Sequence, residues 1–144
     1  MTVAAILRHK GREVFTIHPS ATAMEVADVL LQKGIGAVLV VDEARQLLGV
    51  VSERDIVRSL SANGVATLEM TAGQLMTRAL QTASPQTTII EAMRKMTAGR
   101  FRHVPVLDNG ELVGLVSIGD VVKARIMEQE EEVDSLKAYI AGAA

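Results

Sequence analysis

The hydrophobic positions fall into short blocks that recur in one order. "VFTIHP" (14–19) is a short extended piece ending at Pro19, and a proline biases the residue before it toward extended backbone. In "SATAMEVADVLLQKG" the apolar Met24, Ala27, Val29, Leu30 and Leu31 lie at roughly helical spacing, with Gly34 as the C-cap. "AVLVVD" is a β-rich run, and "EARQ" supplies turn residues. "LLGVVS" is a third strand leading into a helix that begins near Asp55. The same order returns in "ALQTASP", in a helix carrying Ile89, Ile90, Met93 and Met96 closed by Gly99, in "HVPVLD", and in "LVGLVS" before a helix near Asp120. Asn109-Gly110 between the last two strands is a strong hairpin signal. The strand runs are continuous rather than alternating, which predicts strands covered on both faces.

Displacing the chain by 66 residues sets Pro19 on Pro85, Thr22 on Thr88, Glu25 on Glu91, Val38 on Val104, Val40 on Val106 and Asp42 on Asp108. The first turn is one residue longer, so the offset then becomes 65. Leu47 meets Leu112, Gly49 meets Gly114, Ser52 meets Ser117 and Asp55 meets Asp120. One gap, placed in a turn, is the mark of an internal duplication. The expected fold is α/β: two tandem β-α-β-β-α units at residues 13–61 and 78–127. Residues 1–12 form an N-terminal segment. Residues 62–77 form a linker with Leu75 and Met76 tucked into the fold, and residues 128–144 a helical extension. Along that last helix Val122, Ile126, Val133, Leu136 and Ile140 make a heptad seam with Gln129 at its polar step. The seam faces either a second copy or the chain's own sheet. Glu128 and Glu130–Glu132 lie mostly off it and read as a solvated face.

The 144 residues suit one compact domain or two small halves, and 49 % hydrophobic content supports a sizeable core. At 2 % aromatic, that core is aliphatic. A formal charge of −2 with a pI near 5.9 and few aromatic platforms argues against nucleic acid. Cysteine is absent, which excludes disulfides and thiolate chemistry. "MTVAAILRHKG" is no signal peptide, because its apolar stretch is short and its charges follow it. No apolar run approaches a membrane span. A cytoplasmic protein is expected.

The candidate chemistry lies in "VSERDIV" (51–57) and "VSIGDVV" (116–122). Read singly, Ser52 and Ser117 are helix N-caps, and Asp55 and Asp120 complete capping-box arrangements. Read as a repeated pair, each becomes a corner where free helix N–H groups favour an anion. There a carboxylate can take a ribose diol, as in dinucleotide-binding folds. Phosphate needs cations. Arg100, Arg102 and His103 precede the middle strand of the second unit. In the first unit Arg54 lies inside the motif, and Lys10 and Arg12 precede the first strand. Arginine suits phosphate through its planar donor fork.

These residues resemble a pair of CBS domains, the cystathionine-β-synthase-type module. The resemblance rests on "TIHPSATAMEVADVLLQKGIGAVLVVDEARQLLGVVSERDIV" and "TASPQTTIIEAMRKMTAGRFRHVPVLDNGELVGLVSIGDVV" and covers about residues 5–127. It implies two units packed through their sheets with pseudo-twofold symmetry, leaving two clefts. It also implies an adenosyl ligand, AMP foremost, with ADP, ATP, NAD(H) or S-adenosylmethionine as further members. The family usually dimerises and reports energy state to a regulated partner. On this resemblance Asp55 and Asp120 match the ribose aspartate, and Ser52 and Ser117 the phosphate-side hydroxyl. Thr16 and Thr82 match the adenine-side residue. Gly36, Ala37 and Val38, and likewise His103, Val104 and Pro105, match the strand whose backbone edges the base. Arg102 and His103 match a basic pair that reaches phosphate. The first unit lacks that pair and has Arg54 where the second has Gly119, so two unequal clefts follow, the one around Asp120, Arg102 and His103 being the tighter.

An enzyme is not expected. The two aspartates belong to separate units, and no Ser-His-Asp set, metal triad or Walker-type loop is present. His9, His18 and His103 lack ligand spacing, and the dinucleotide fingerprint begun by "GIG" fails at Leu39. No metal is required. The rival to a ligand sensor is a ligand-independent dimerisation and interaction module.

Overall fold

A computed structural model describes residues 1–11, 13–78 and 81–143. Its elements run α1 (Val3–Lys10), β1 (Thr16–Ile17), α2 (Ala23–Lys33), β2 (Ala37–Val41), β3 (Leu47–Ser52), α3 (Glu53–Asn63) and a 3-10 segment (Gly64–Glu69). Then come α4 (Ala72–Leu75), α5 (Ile89–Gly99), β4 (His103–Asp108), β5 (Glu111–Ser117) and α6 (Ile118–Ala143). Two compact units result. One comprises Glu13–Gln81 with Asn109–Val113, and the other Met1–Arg12, Thr82–Asp108 and Gly114–Ala144.

In the first-repeat unit β1 runs parallel to β2, and β2 antiparallel to β3, with Ala37 opposite Ser52 and Val38 opposite Val51. All five β2 residues are buried, as the unbroken apolar run predicts. Val26 and Leu30 of α2 pack with Val38, Val40 and Val51, and Ala72 and Leu75 close the same core. The helix buries Ala23, Val26 and Leu30, whereas Met24 and Leu31, expected on its apolar face, are 50 % and 83 % exposed. Thr22 caps α2 by accepting the Glu25 N–H, and Gly34 ends it in the left-handed region at φ 63°.

In the second-repeat unit Val3, Leu7, Ile89, Val104, Val106, Val116 and Val121 form fully or nearly fully buried positions. β4 and β5 form a two-stranded sheet. They are joined by Asn109 (φ 51°) and Gly110 (φ 82°), the positive-φ pair that a two-residue hairpin needs. The expected first strand of this repeat is reduced to one parallel bridge, Ala83 with Val106; Ala79 and Leu80 lie outside the described residues. Pro105 supplies the reason. Its counterpart Leu39 donates its N–H to Phe15 at 3.3 Å, and a proline has none to give.

Gly99 does not cap α5. The left-handed residue is Arg100 at φ 56°, the counterpart of Gly34. Gly99 answers a different demand: a Cβ there would sit 1.9 Å from the Phe101 ring.

Each unit also holds a segment from elsewhere in the chain, bound by matching hydrogen bonds. Met1–Leu7 docks on the second repeat through Val3 N–H to Thr87 O (2.8 Å), Ala4 N–H to Pro85 O (2.9 Å) and Ile89 N–H to Met1 O (3.2 Å). Met70–Met76 docks on the first through Ala72 N–H to Ala21 O (2.7 Å), Gly73 N–H to Pro19 O (2.9 Å) and Ala23 N–H to Met70 O (2.9 Å). Leu7 fills the space beside Gly114, and Met76 that beside Gly49.

α6 pairs with α5 and α1 along its first part. Val133, Leu136 and Ile140 are 50–60 % exposed, so the heptad seam is not packed on the chain's own sheet. Glu128 departs from the solvated face expected of it. It is largely buried and ion-paired with Arg125 at 3.4 Å, with Oε2 buried and, among the described residues, unbonded. Among the described residues no helix is long and apolar enough to cross a membrane.

Candidate functional site

The first corner forms where β3 ends and α3 begins. The Ser52 hydroxyl accepts the Asp55 N–H at 3.2 Å, while Asp55 Oδ2 accepts the Ser52 N–H at 2.8 Å and the Ser52 hydroxyl at 3.0 Å. This is the reciprocal capping box that Ser-x-x-Asp predicts. The other carboxylate oxygen, Oδ1, accepts the Thr77 hydroxyl at 3.4 Å. Thr77 is held by its backbone, exchanging N–H and C=O bonds with Val50 at 2.9 and 3.2 Å. The Glu53 N–H, at the helix start, donates to the Gly36 carbonyl at 3.0 Å. The start of β2 therefore lies against the corner. Ala37 and Val38 are buried and can meet a ligand only through their backbone. Thr16 lies one strand away, opposite Leu39. Arg54 is exposed.

The second corner has the same backbone. The Ser117 hydroxyl accepts the Asp120 N–H at 3.1 Å, and Asp120 Oδ2 accepts the Ser117 N–H at 2.8 Å. The Ile118 N–H reaches the Arg102 carbonyl at 2.8 Å, which sets the Arg102–His103 step against the corner. Arg102 is exposed and His103 half-buried; Val104 and Pro105 are buried in β4. Thr82 lies outside a regular strand, and its carbonyl accepts Lys95 Nζ at 2.8 Å.

The difference between the corners is Lys10. Its ammonium donates to Asp120 Oδ2 at 2.6 Å and to the Leu115 carbonyl at 2.9 Å. Leu115 is the counterpart of Val50, so a lysine here occupies the carbonyl that Thr77 N–H occupies in the first repeat. Burial pushes the Asp120 carboxyl up. The Lys10 and Ser117 hydrogen bonds and the lysine charge outweigh it and hold the group below its ordinary 3.8. Lys10 was expected to serve the first unit; α1 instead packs with the second repeat. Arg12, its expected companion, lies outside the described residues. Thr77 was not foreseen at all. The signal available for both was weak: Met1-Thr2 repeats as Met70-Thr71.

A cavity of about 560 Å³ opens between α1 and α6, lined by Ala5, Ile6, Lys10, Asp120, Lys123 and Met127 among others. That volume falls within the range of small-molecule sites. Among the described residues no group of three or more His, Cys, Asp or Glu is placed to hold a metal ion.

The CBS domain family model matches residues 3–62 and 72–126. The CBS domain-containing protein CBSX3, mitochondrial, of Arabidopsis thaliana is 34 % identical over 98 % of this chain and 72 % of its own length. Several longer curated relatives are matched over 23 to 25 % of their length. The crystal structure of the CBS-domain containing protein ATU1752 from Agrobacterium tumefaciens superposes with a TM-score of 0.85 at 42 % identity, covering 87 % of this chain and 99 % of that one. CBSX2 in complex with AMP gives 0.71 at 27 % identity over 89 % and 98 %. The pair from protein MJ0100, in complex with 5′-methylthioadenosine and S-adenosyl-L-methionine, gives 0.77 at 27 % over 90 % and 98 %.

Proposed function

The chain belongs to the CBS domain family, and from that premise we propose that it is a non-catalytic regulatory module that binds an adenosyl ligand at its Ser-x-x-Asp corners and signals to a partner. The observation that carries this reading is one corner built twice. In each, an apolar strand ends at a serine, and an aspartate bonds the serine N–H at 2.8 Å. In each, the first helix N–H is bonded to the carbonyl of the residue just before the middle strand, Gly36 or Arg102. A capping box alone explains one such corner; relatives that carry AMP or S-adenosylmethionine favour the ligand reading for both. Asp55 and Asp120 take the ribose diol, and Ser52 and Ser117 sit on the phosphate side with Arg54 and with Arg102 and His103. Thr16, Thr82 and the backbone of 36–38 and 103–105 edge the base. AMP is the leading ligand, with ADP, ATP and NAD(H) behind it, and the chain works as a homodimer in the cytoplasm.

A thermal-shift titration tests this. Ligand at 100 times its Kd stabilises by about 2.7 kcal/mol, on the order of 5–10 °C for a chain of this size. AMP, ATP or NADH must raise the midpoint by that much, and Asp120→Ala must remove most of the rise. No shift with any of them at millimolar concentration leaves the ligand-independent interaction module standing.

A further inference from the structure

The two corners differ in what they leave uncommitted. At the first, both Asp55 oxygens are engaged, Oδ2 by Ser52 and Oδ1 by Thr77, and among the described residues no cation lies within ion-pair distance. At the second, the bonds from Ser117 N–H and Lys10 both end on Oδ2, which among the described residues leaves Oδ1 for a ligand hydroxyl. Lys10 carries three N–H donors and uses two, on Asp120 and Leu115. Among the described residues the third has no acceptor. The pair forms part of the wall of the α1–α6 cavity, where Arg8, His9 and Lys123 add further basic groups against Glu131. An isolated carboxylate repels a phosphate dianion brought beside it. A carboxylate neutralised by a contacting ammonium does not, and the ammonium adds a charge-assisted bond.

We propose that Lys10 is a specificity-determining residue, which makes the second-repeat corner select a phosphate-bearing nucleoside over the same nucleoside without phosphate. This rests on the reading that the corner takes an adenosyl ligand. Asp120 Oδ1 accepts a ribose hydroxyl while Lys10, still on Oδ2, donates its third N–H to the phosphate. The depressed titration of Asp120 keeps the carboxylate ionised across the physiological range. The first corner, with no such ammonium on Asp55, discriminates less.

The test is an NMR titration of the full chain with AMP and with adenosine, read at the amides of Ile118 and Gly119 for the second corner and of Glu53 and Arg54 for the first. In the wild type the second corner binds AMP roughly ten- to a hundredfold more tightly than adenosine, the range of a hydrogen bond to a charged group. In Lys10→Met that ratio falls toward one through loss of AMP affinity, while adenosine affinity is kept or rises. An unchanged ratio, or equal weakening of both ligands, overturns the proposal. If neither ligand moves any of these amides, the adenosyl reading itself fails. Inorganic phosphate then decides the role of Lys10: shifts at Ile118 and Gly119 that vanish in Lys10→Met uphold it as the anion-selecting group, and no phosphate response overturns that too.

Discussion

Gly99 and Arg100 show how a single residue can satisfy one demand and miss another. The left-handed end of α5 falls on Arg100, where a side chain costs roughly 1–2 kcal/mol, because glycine is already used next door to admit the Phe101 ring. Arg100→Gly removes the strain and pays part of it back in unfolded-chain entropy, so a gain of about 0.5–1 kcal/mol and a rise of about 2–3 °C by calorimetry are expected. Gly99→Ala forces the ring aside and should lower stability by about 1–3 kcal/mol; a neutral result there would remove the steric account of the glycine. Lys10 and Asp120 make a prediction in pH. The aspartate titrates below its ordinary value, so the pair's contribution is fully present above about pH 4 and is lost as pH falls through the folded-state value. With side chains 40 % and 25 % exposed, the contribution is about 0.5–1 kcal/mol. Urea unfolding should find Lys10→Met less stable than wild type by that amount at pH 7, and the gap should shrink below pH 4. The aspartate's own serine was legible in the sequence because a capping box is settled within four residues. Its lysine was not, because 110 residues separate the two.

Secondary elements follow the same division. The hairpin at Asn109-Gly110, the Gly34 cap and the buried β2 run are local consequences of residue type. The reduction of the second repeat's first strand to a single bridge was legible in principle, since Pro105 replaces Leu39 and withdraws one N–H. The docked segments were not. Residues 1–7 and 70–76 repeat only a Met-Thr pair plus a short apolar pattern, and each packs on a repeat whose periodicity does not mention it. Their equivalence rests on two glycines. A Cβ on Gly114 would meet the Leu7 side chain at 2.6 Å, whereas on Gly49 it would meet Met76 Sδ at 2.7 Å and the Thr77 carbonyl at 2.8 Å. A side chain can turn aside, but a backbone carbonyl held by Val50 cannot. Gly49→Ala should therefore cost more than Gly114→Ala, about 2–3 against about 1–2 kcal/mol in the overpacking range. Equal losses, measured by denaturant unfolding, would mean that the carbonyl yields as readily as the leucine.

At the scale of the whole molecule, the exposed apolar stripe of α6 calls for a cover. Val122 and Ile126 are 41 % and 50 % exposed, and Val133, Leu136 and Ile140 follow at 50–60 %. Placing these residues at the a and d positions of a heptad puts Arg125 and Glu132 at g, and Glu130 and Lys137 at e. In a parallel two-stranded coil each g residue faces the e residue five positions on in the other chain. Arg125 then meets Glu130, and Glu132 meets Lys137, so both pairs are opposite in sign. The stripe and its flanks thus suit a second copy of the same helix, with Gln129 as the polar step that fixes register. Sedimentation at tens of micromolar should give twice the 15.4 kDa chain mass. Leu136→Glu should shift the population to monomer. Lys137→Glu should weaken the dimer by setting glutamate against Glu132, and adding Glu132→Lys should restore it. Restoration by that second change distinguishes the parallel helix pair from association through any other face, and a wild-type monomer at this concentration overturns the homodimer altogether.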